Sequence, residues 1–493
     1  MTHTADPAVA IRNLRLKFPG EDRLLFRDLS FSVQDGEKVL LLGPSGCGKS
    51  TLLQVASGIV PNSFELPMKA ETLELPDSWG FVFQDPDTQF CMPYVDEELA
   101  FVLENMSVPR SEMPERIRAA LLRVGLQLAD IHTPILELSQ GMKQRLALAS
   151  VLLMEPDVLF LDEPSALLDP EGTEQIWSSI RGAAADKTVV IVEHKIDQIA
   201  SWIDRVVLFT DDGEILADGR PAAIFRDYKA ELIRYGIWYP GVWEDYLASG
   251  TYRRLLEDRA EPGDLHAVRM QSFTGYRGKK PVIHVEEAAV RAGAWVAVLG
   301  KNGSGKSSLL LSMMQLLKTD GRLEVDGREI IPKKRRKSVP AGLSLVFQNP
   351  ELQFVANSLL EELTVSMQTL PKDEAERRAS DLLERFSLPF DGQRHPYQLS
   401  VGQKRRLSVA TALTGTTDVL LLDEPTFGQD ARNTFVMLEI LEELRNRGLT
   451  IIMVTHDLTI ADRFATDVWT VHDGELVSAV PAGGAADARL VHA

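Results

Sequence analysis

The sequence predicts two α/β domains in tandem, each a mainly parallel sheet with its chemistry gathered at strand ends. Three observations predict it. The chain repeats itself at the period of a whole domain. Each copy runs from a short apolar strand through a glycine-rich loop into a helix, and further apolar runs end in acidic residues or precede a histidine.

The repeat is tested first. Gly43-Pro44-Ser45-Gly46-Cys47-Gly48-Lys49-Ser50 recurs as Gly300-Lys301-Asn302-Gly303-Ser304-Gly305-Lys306-Ser307, an offset of 300 − 43 = 257. Phe83-Gln84-Asp85-Pro86 recurs as Phe347-Gln348-Asn349-Pro350 at 264, and Leu138-Ser139 as Leu399-Ser400 at 261. Leu161-Asp162-Glu163-Pro164 returns as Leu422-Asp423-Glu424-Pro425 at 261, and His194 as His456 at 262. Five motifs in one order at nearly one offset make the chain a tandem duplication and exclude a short-repeat solenoid.

The strands follow from apolar runs. Residues 38–42 and 295–299 end at the glycine loops, 158–161 and 419–422 end in Asp-Glu, and 189–192 and 451–454 precede the histidines. Open α/β sheets place ligands at such carboxyl ends. The expected organisation is a first domain at 1–235, a linker at 236–262, a second domain at 263–480 and a frayed Ala/Gly-rich tail at 481–493. Trp238, Tyr239, Trp243, Tyr246 and Tyr252 make the linker a packed strap more than a floppy tether.

Composition bounds the function. A chain of 493 residues with 44% hydrophobic and 25% charged side chains is a folded protein of more than one domain. Two cysteines, Cys47 and Cys91, make no disulfide framework and suggest a reducing compartment. No run approaches the ~20 apolar residues that cross a bilayer, and the N-terminus lacks the pattern of a signal peptide. Service to a membrane would therefore be that of a peripheral subunit. A net charge of −18 argues against nucleic acid or an anionic lipid surface as the main partner.

The loops G-x-x-x-x-G-K-S carry the chemistry. Their glycines let backbone N–H groups turn around the phosphates of ATP, Lys49 or Lys306 reaches the β and γ groups, and Ser50 or Ser307 binds Mg²⁺. The helix that follows, starting through Thr51 or Ser308, directs its positive end at the same anion. Asp162 and Asp423 end strands where a carboxylate holds Mg²⁺, and Glu163 and Glu424 follow, placed to polarise the attacking water.

Leu138-Ser139-Gln140-Gly141-Met142 and Leu399-Ser400-Val401-Gly402-Gln403 resemble the LSGGQ signature of ABC ATPases. The resemblance covers nearly the whole chain. It implies in each copy a P-loop core, an antiparallel β subdomain and a helical signature subdomain. It implies that two copies close face to face within one chain, each ATP lying between one Walker loop and the other copy's signature. Gln84 and Gln348 look like Q-loop residues that contact Mg²⁺ and a membrane partner. His194 and His456 look like switch histidines that touch the γ-phosphate, and Phe18 and Tyr276 resemble the aromatic that stacks on adenine. Site one would join Lys49, Gln84, Glu163 and His194 to Ser400, Gly402 and Gln403; site two would join Lys306, Gln348, Glu424 and His456 to Ser139 and Gly141. The first signature departs from the pattern at Gln140 and Met142, so reduced turnover is expected at site two.

Phe83-Gln-Asp-Pro-Asp-Thr-Gln89 and Phe347-Gln-Asn-Pro-Glu-Leu-Gln353 look like the FQNPDxQ segment of energy-coupling-factor (ECF) and cobalt-type importers. That likeness implies a transmembrane scaffold and a separate substrate-binding membrane protein as partners, a place on the cytoplasmic face of the membrane, and a vitamin, vitamin precursor or transition-metal ion as cargo. Twin-cassette sugar importers usually lack this extension and often one catalytic glutamate. A soluble twin-cassette factor of ribosomes should carry a long basic arm between its domains. The run Lys333-Lys-Arg-Arg-Lys337 is the one basic block, read as a solvated loop.

Overall fold

The computed structural model describes residues 7–21, 23–166, 168–331, 340–368, 370–389 and 392–482. The basic run 333–337 and the tail from 483 lie outside them. The chain divides into two compact units, 1–242 and 243–493.

In the first unit, apolar runs that are buried throughout, such as Val158–Asp162 and Thr188–Val192, have the composition of strands covered on both faces. They build a six-stranded sheet in the order Ile215–Gly219, Arg205–Phe209, Lys38–Leu42, Thr188–Val192, Val158–Asp162, Trp79–Val82. The pairs are parallel except at Ile215–Gly219. Register sets Leu41 beside Val192, and Asp162 beside Val192, so the glycine loop, the Asp-Glu pair and His194 emerge at one edge. A separate antiparallel sheet joins Phe26–Val33, Val9–Leu16, Met68–Lys69 and Thr72–Glu74. Helices Val95–Asn105, Met113–Arg123 and Gln140–Leu152 form the helical part.

The second unit repeats this plan with one difference. Its antiparallel strands His266–Arg277, Lys280–Arg291 and Lys318–Val325 belong to the same ten-stranded sheet as its parallel core. The junction is a parallel pairing of His284 with Glu475. Trp295–Leu299 lies between Thr450–Val454 and Asp467–His472 and is wholly buried.

The aromatic residues of the interval 236–262 are packed in helices and turns, and they divide between the units. Tyr239 is buried in the first. In the second, Val242–Ala248 and Gly250–Glu257 bring Tyr246 flat against Phe435, 3.9 Å between centroids, and Tyr252 edge-on to Phe464. The strap ends on a buried ion pair. Arg445, its side chain fully buried, meets Glu442 at 2.8 Å and donates to the carbonyls of Ala260 at 2.8 Å and Gly293 at 3.2 Å. Glu442 also receives Arg259 at 3.4 Å.

Removing one partner of such a pair leaves a charge buried without compensation. Arg445→Met should cost the chain about 3–5 kcal/mol in chemical denaturation, and adding Glu442→Leu should restore part of the loss. A cost below about 1 kcal/mol would show that the pair contributes no net stability.

Candidate nucleotide-binding sites

Each glycine loop is held open by conformations only glycine adopts cheaply. Gly48 and Gly305 have φ of 101° and 112°, and a Cβ on Gly48 would lie 2.8 Å from the Phe26 ring. These glycines begin helices Lys49–Ala56 and Lys306–Met313, whose first N–H groups receive no side-chain cap. That leaves backbone donors and the positive helix end facing the loop. The side chains of Cys47 and Ser304 turn inward and are buried, so their backbone faces the loop. Pro44, Ser45, Lys301 and Asn302 form its outer turn, and Gly46 and Gly303 pass through left-handed conformations at φ 85° and 80°. Thr51 and Ser308 lie in the first helical turn.

The lysines fold back over their loops. Lys49 Nζ donates to the carbonyls of Gly43 at 2.8 Å and Pro44 at 2.9 Å; Lys306 Nζ donates to those of Gly300 at 2.7 Å and Lys301 at 2.9 Å. A phosphate would give each ammonium a stronger, charge-assisted acceptor than these neutral carbonyls.

Beneath each lysine, a serine reaches the strand-end aspartate: Ser50 Oγ donates to Asp162 at 2.8 Å and Ser307 Oγ to Asp423 at 3.1 Å. Burial pushes both carboxyls up, to about 6. Among the described residues no group of three or more His, Cys, Asp or Glu could hold a metal. The donors here are a hydroxyl, one carboxylate and the amide oxygen of Gln84 or Gln348. That is a hard-oxygen set of the kind Mg²⁺ completes with water and phosphate, and a divalent cation would relieve the buried aspartate.

The glutamates come next. Glu163 and Glu424 stand in left-handed backbone conformations, φ 48° and 50°, a strain typical of functional turns. Each faces a histidine and the Q-loop glutamine. His194 Nε2 lies 3.0 Å from Glu163 and His456 Nε2 lies 2.9 Å from Glu424. Gln84 donates to Glu163 at 2.7 Å and Gln348 to Glu424 at 3.4 Å. Burial opposes the charge on both Glu163 and His194, yet each holds the other ionised: the glutamate is lowered and the histidine raised. The structure thus brings loop lysine, serine, aspartate, glutamate, Q-loop glutamine and histidine together in each unit.

Ser139 and Ser400 cap the signature helices, accepting from Met142 N at 3.4 Å and Gln403 N at 3.3 Å. Here one expectation needs correction. Gln140 does not set the copies apart, because Val401 occupies the same place with its own side chain, 62% exposed. The difference lies one turn on: Gln403 returns a bond to Ser400 N at 3.0 Å and closes a capping box, which Met142 cannot. The two glycines differ as well. A Cβ on Gly402 would strike Asn433, whereas one on Gly141 would meet only Leu168, at 3.7 Å. Phe18 is exposed beyond the strand Val9–Leu16, and Tyr276 lies inside a strand with Lys318 Nζ 5.2 Å over its ring.

Sequence reading assigned no role to the residues that brace the site. Gln89 accepts from Phe83 N and donates to Ala147 O at 3.1 Å; Gln353 accepts from Phe347 N and donates to Ser408 O at 3.1 Å. Lys143 pairs with Asp87 at 2.7 Å and Lys404 with Glu351 at 2.6 Å, tying each Q-loop to its signature helix. These residues recur at the offsets of the motifs themselves, so the same self-comparison contains them. Glu193 was missed too, and the first unit alone has it. It is buried, accepts from Ser165 Oγ at 2.6 Å and His194 N at 2.8 Å, and is replaced by Thr455 in the second unit.

The raised aspartates give a prediction with a definite sign. Between the ordinary carboxyl value, 3.8, and about 6 the folded chain binds protons that the unfolded chain does not, so stability falls as pH rises through that window. Asp162→Asn and Asp423→Asn should each stabilise the nucleotide-free chain above pH ~6, by about 2–3 kcal/mol, and the gain should vanish below pH ~4. Thermal unfolding across pH checks this. A destabilised variant at neutral pH would mean the burial penalty is offset elsewhere.

With this geometry in place, comparison with known proteins assigns the family. The family model described as ABC transporter matches residues 26–166 and 286–427. A Bacillus subtilis (strain 168) protein, provisionally named the HMP/thiamine import ATP-binding protein YkoD, is 34% identical, with 95% of this chain and 90% of that protein covered. An ABC transporter ATP-binding protein, also provisionally named, from Sulfurisphaera tokodaii is 33% identical, with 96% and 98% covered. Two solved structures share the fold. One is a chain from the complex of archaeal ribosomal stalk protein aP1 with archaeal ribosome recycling factor aABCE1, at TM-score 0.64 and 17% identity, with 97% of this chain and 92% of that one covered. The other is RNase-L Inhibitor, at TM-score 0.63 and 18% identity, with 97% and 91% covered. The chain belongs to the ABC transporter family as a tandem ATP-binding protein that hydrolyses ATP.

Proposed function

We propose that the chain is the motor of an ECF-type importer for a vitamin, vitamin precursor or transition-metal ion, working on the cytoplasmic face of a membrane. Its partners on this reading are a transmembrane scaffold and a substrate-binding membrane protein. The observation that carries it is the Q-loop. Both copies follow the glutamine with a one-turn helix, Pro86–Thr88 or Pro350–Leu352, fixed by proline and clamped to the signature helix. The clamp leaves side chains outward: Leu352 and Val355 are 73% and 75% exposed. A relative named for HMP/thiamine import, alike over nearly its whole length, supports the same class of cargo.

The ribosomal reading gains nothing from the two structural neighbours, because at 17% and 18% identity they speak to fold alone. It also expects a basic arm between the units, where this chain has packed aromatic helices. No helix among the described residues is long and apolar enough to cross a membrane.

In catalysis Lys49 and Lys306 hold the phosphates, Glu163 and Glu424 take a proton from the attacking water, and His194 and His456 orient those carboxylates. Mg²⁺, bound through Ser50, Asp162 and Gln84 or through Ser307, Asp423 and Gln348, would supply charge stabilisation at the transferring phosphate. Adenine stacking by Phe18 and Tyr276, and closure of each site by Ser400, Gly402 and Gln403 or by Ser139 and Gly141, complete the proposal.

Photo-crosslinkers at Thr88 and Leu352 should capture a transmembrane protein from cells. Capture of ribosomal proteins instead would overturn the importer reading. In the assembled transporter, Glu163→Gln should remove most ATPase activity and Glu424→Gln should leave a substantial fraction. The reason is that site two relies on the signature without a capping box, and a displaced donor at the phosphate costs up to roughly 10²–10³ in rate. Equal residual activities would discard that asymmetry.

A further inference from the structure

Besides Glu193 and Thr455, the units differ at a second buried position, on the signature helix. There Gln144 of the first unit stands where the second has Arg405. Both side chains hold the backbone at the start of the Q-loop: Gln144 Nε2 donates to Phe83 O at 3.3 Å and Arg405 Nη1 to Phe347 O at 3.4 Å. Gln144 brings no charge to its contact. Arg405 brings a whole one. It is 6% exposed, and its Nε–H has no hydrogen-bond partner among the described residues. Phe347 follows Val346, which pairs with Leu422 just before Asp423, and precedes Gln348, which donates to Glu424, so the guanidinium is held at the strand end that carries both acids. Burial pulls the guanidinium down to about 10, so it remains a cation at neutral pH.

The loop lysines are common to both sites and cancel from the comparison. Glu193, which accepts from Ser165 Oγ and His194 N, is peculiar to the first site. The difference at the aspartates themselves is Arg405, a cation acting on Asp423, where Asp162 has only His194, already engaged with Glu163. Nucleotide phosphates brought beside two carboxylates are repelled by them. Mg²⁺ ordinarily removes that repulsion, and a buried cation in the wall removes part of it without metal.

We propose that Arg405 is an internal counter-charge for the carboxylates of the second unit's nucleotide site, making nucleotide binding there less dependent on Mg²⁺ than in the first. The inference rests on the reading of both glycine loops as nucleotide sites, and the experiment separates the two. Full-length Lys49→Ala leaves the second loop intact and Lys306→Ala leaves the first. Binding of a fluorescent ATP analogue is measured on each, with Mg²⁺ and with EDTA at constant ionic strength. Binding with Mg²⁺ reports on the loops themselves: a variant that binds as tightly without its remaining lysine would refute the site reading.

The ratio of affinities with and without Mg²⁺ reports on Arg405. Removing the metal should weaken the first site about tenfold more than the second, the size expected of one charge at an intermediate effective dielectric. Arg405→Gln places in the second unit the side chain the first already packs, so folding is preserved, and it should erase the difference. Arg405→Lys should keep it, and Gln144→Arg should confer it on the first site. Equal ratios at the two sites, or an Arg405→Gln chain that retains its advantage, would overturn the proposal.

Discussion

A hydrogen bond between a loop serine and a buried aspartate is the constraint on which each unit depends. Ser50 meets Asp162, and Ser307 meets Asp423, only if two strands separated by more than a hundred residues end level. The parallel register through Thr188–Val192 and Thr450–Val454 enforces that level edge. Slip it by one residue and the aspartate leaves the serine, the glutamate leaves the histidine, and every side chain of the strand changes face. The buried core is therefore what aligns the chemistry, and the unfavourable burial of an acid is tolerated because its place is functional.

Around this bond the site is braced from outside. Gln89 and Gln353 use both ends of an amide, holding the Q-loop backbone with the oxygen and the signature helix with the nitrogen. Lys143 and Lys404 add a charged tie between the same two segments. The Q-loop glutamine that reaches the strand-end glutamate and the helix that carries the signature serine are thus tied to each other. A displacement arriving at the exposed turn beyond Pro86 or Pro350 is felt at both.

Much of this was legible in the sequence because its signals are local. A glycine loop, its lysine and its serine are fixed within eight consecutive residues, so motif and geometry are nearly the same statement. Asp162 and His194 were legible by their position after apolar strands. The braces were given no role, since Lys143 matters through a contact 56 residues away and Gln89, though it closes a recognisable segment, reaches its helix partner 58 residues away. Glu193 and Arg405 were harder still: each is a difference inside a repeat, and reading by similarity looks past differences. Gln140 misled for the opposite reason, measured against an ideal pattern before it was measured against Val401. The aromatic linker could be read as packed, but not as divided at Val242, because which core an aromatic ring enters is decided by tertiary contacts.

The junction of His284 with Glu475 gives the two units different mechanics. In the second, strands from Lys318–Val325 to Gly342–Val346 form one unbroken plate that includes Trp295–Leu299, so a push on its antiparallel edge is carried through backbone hydrogen bonds to the strand that feeds the glycine loop. In the first, the corresponding sheets are separate ladders among the described residues, and the contact between them is side-chain packing. One polypeptide thus joins two halves whose sheets are connected differently, a distinction that the even spacing of its motifs conceals.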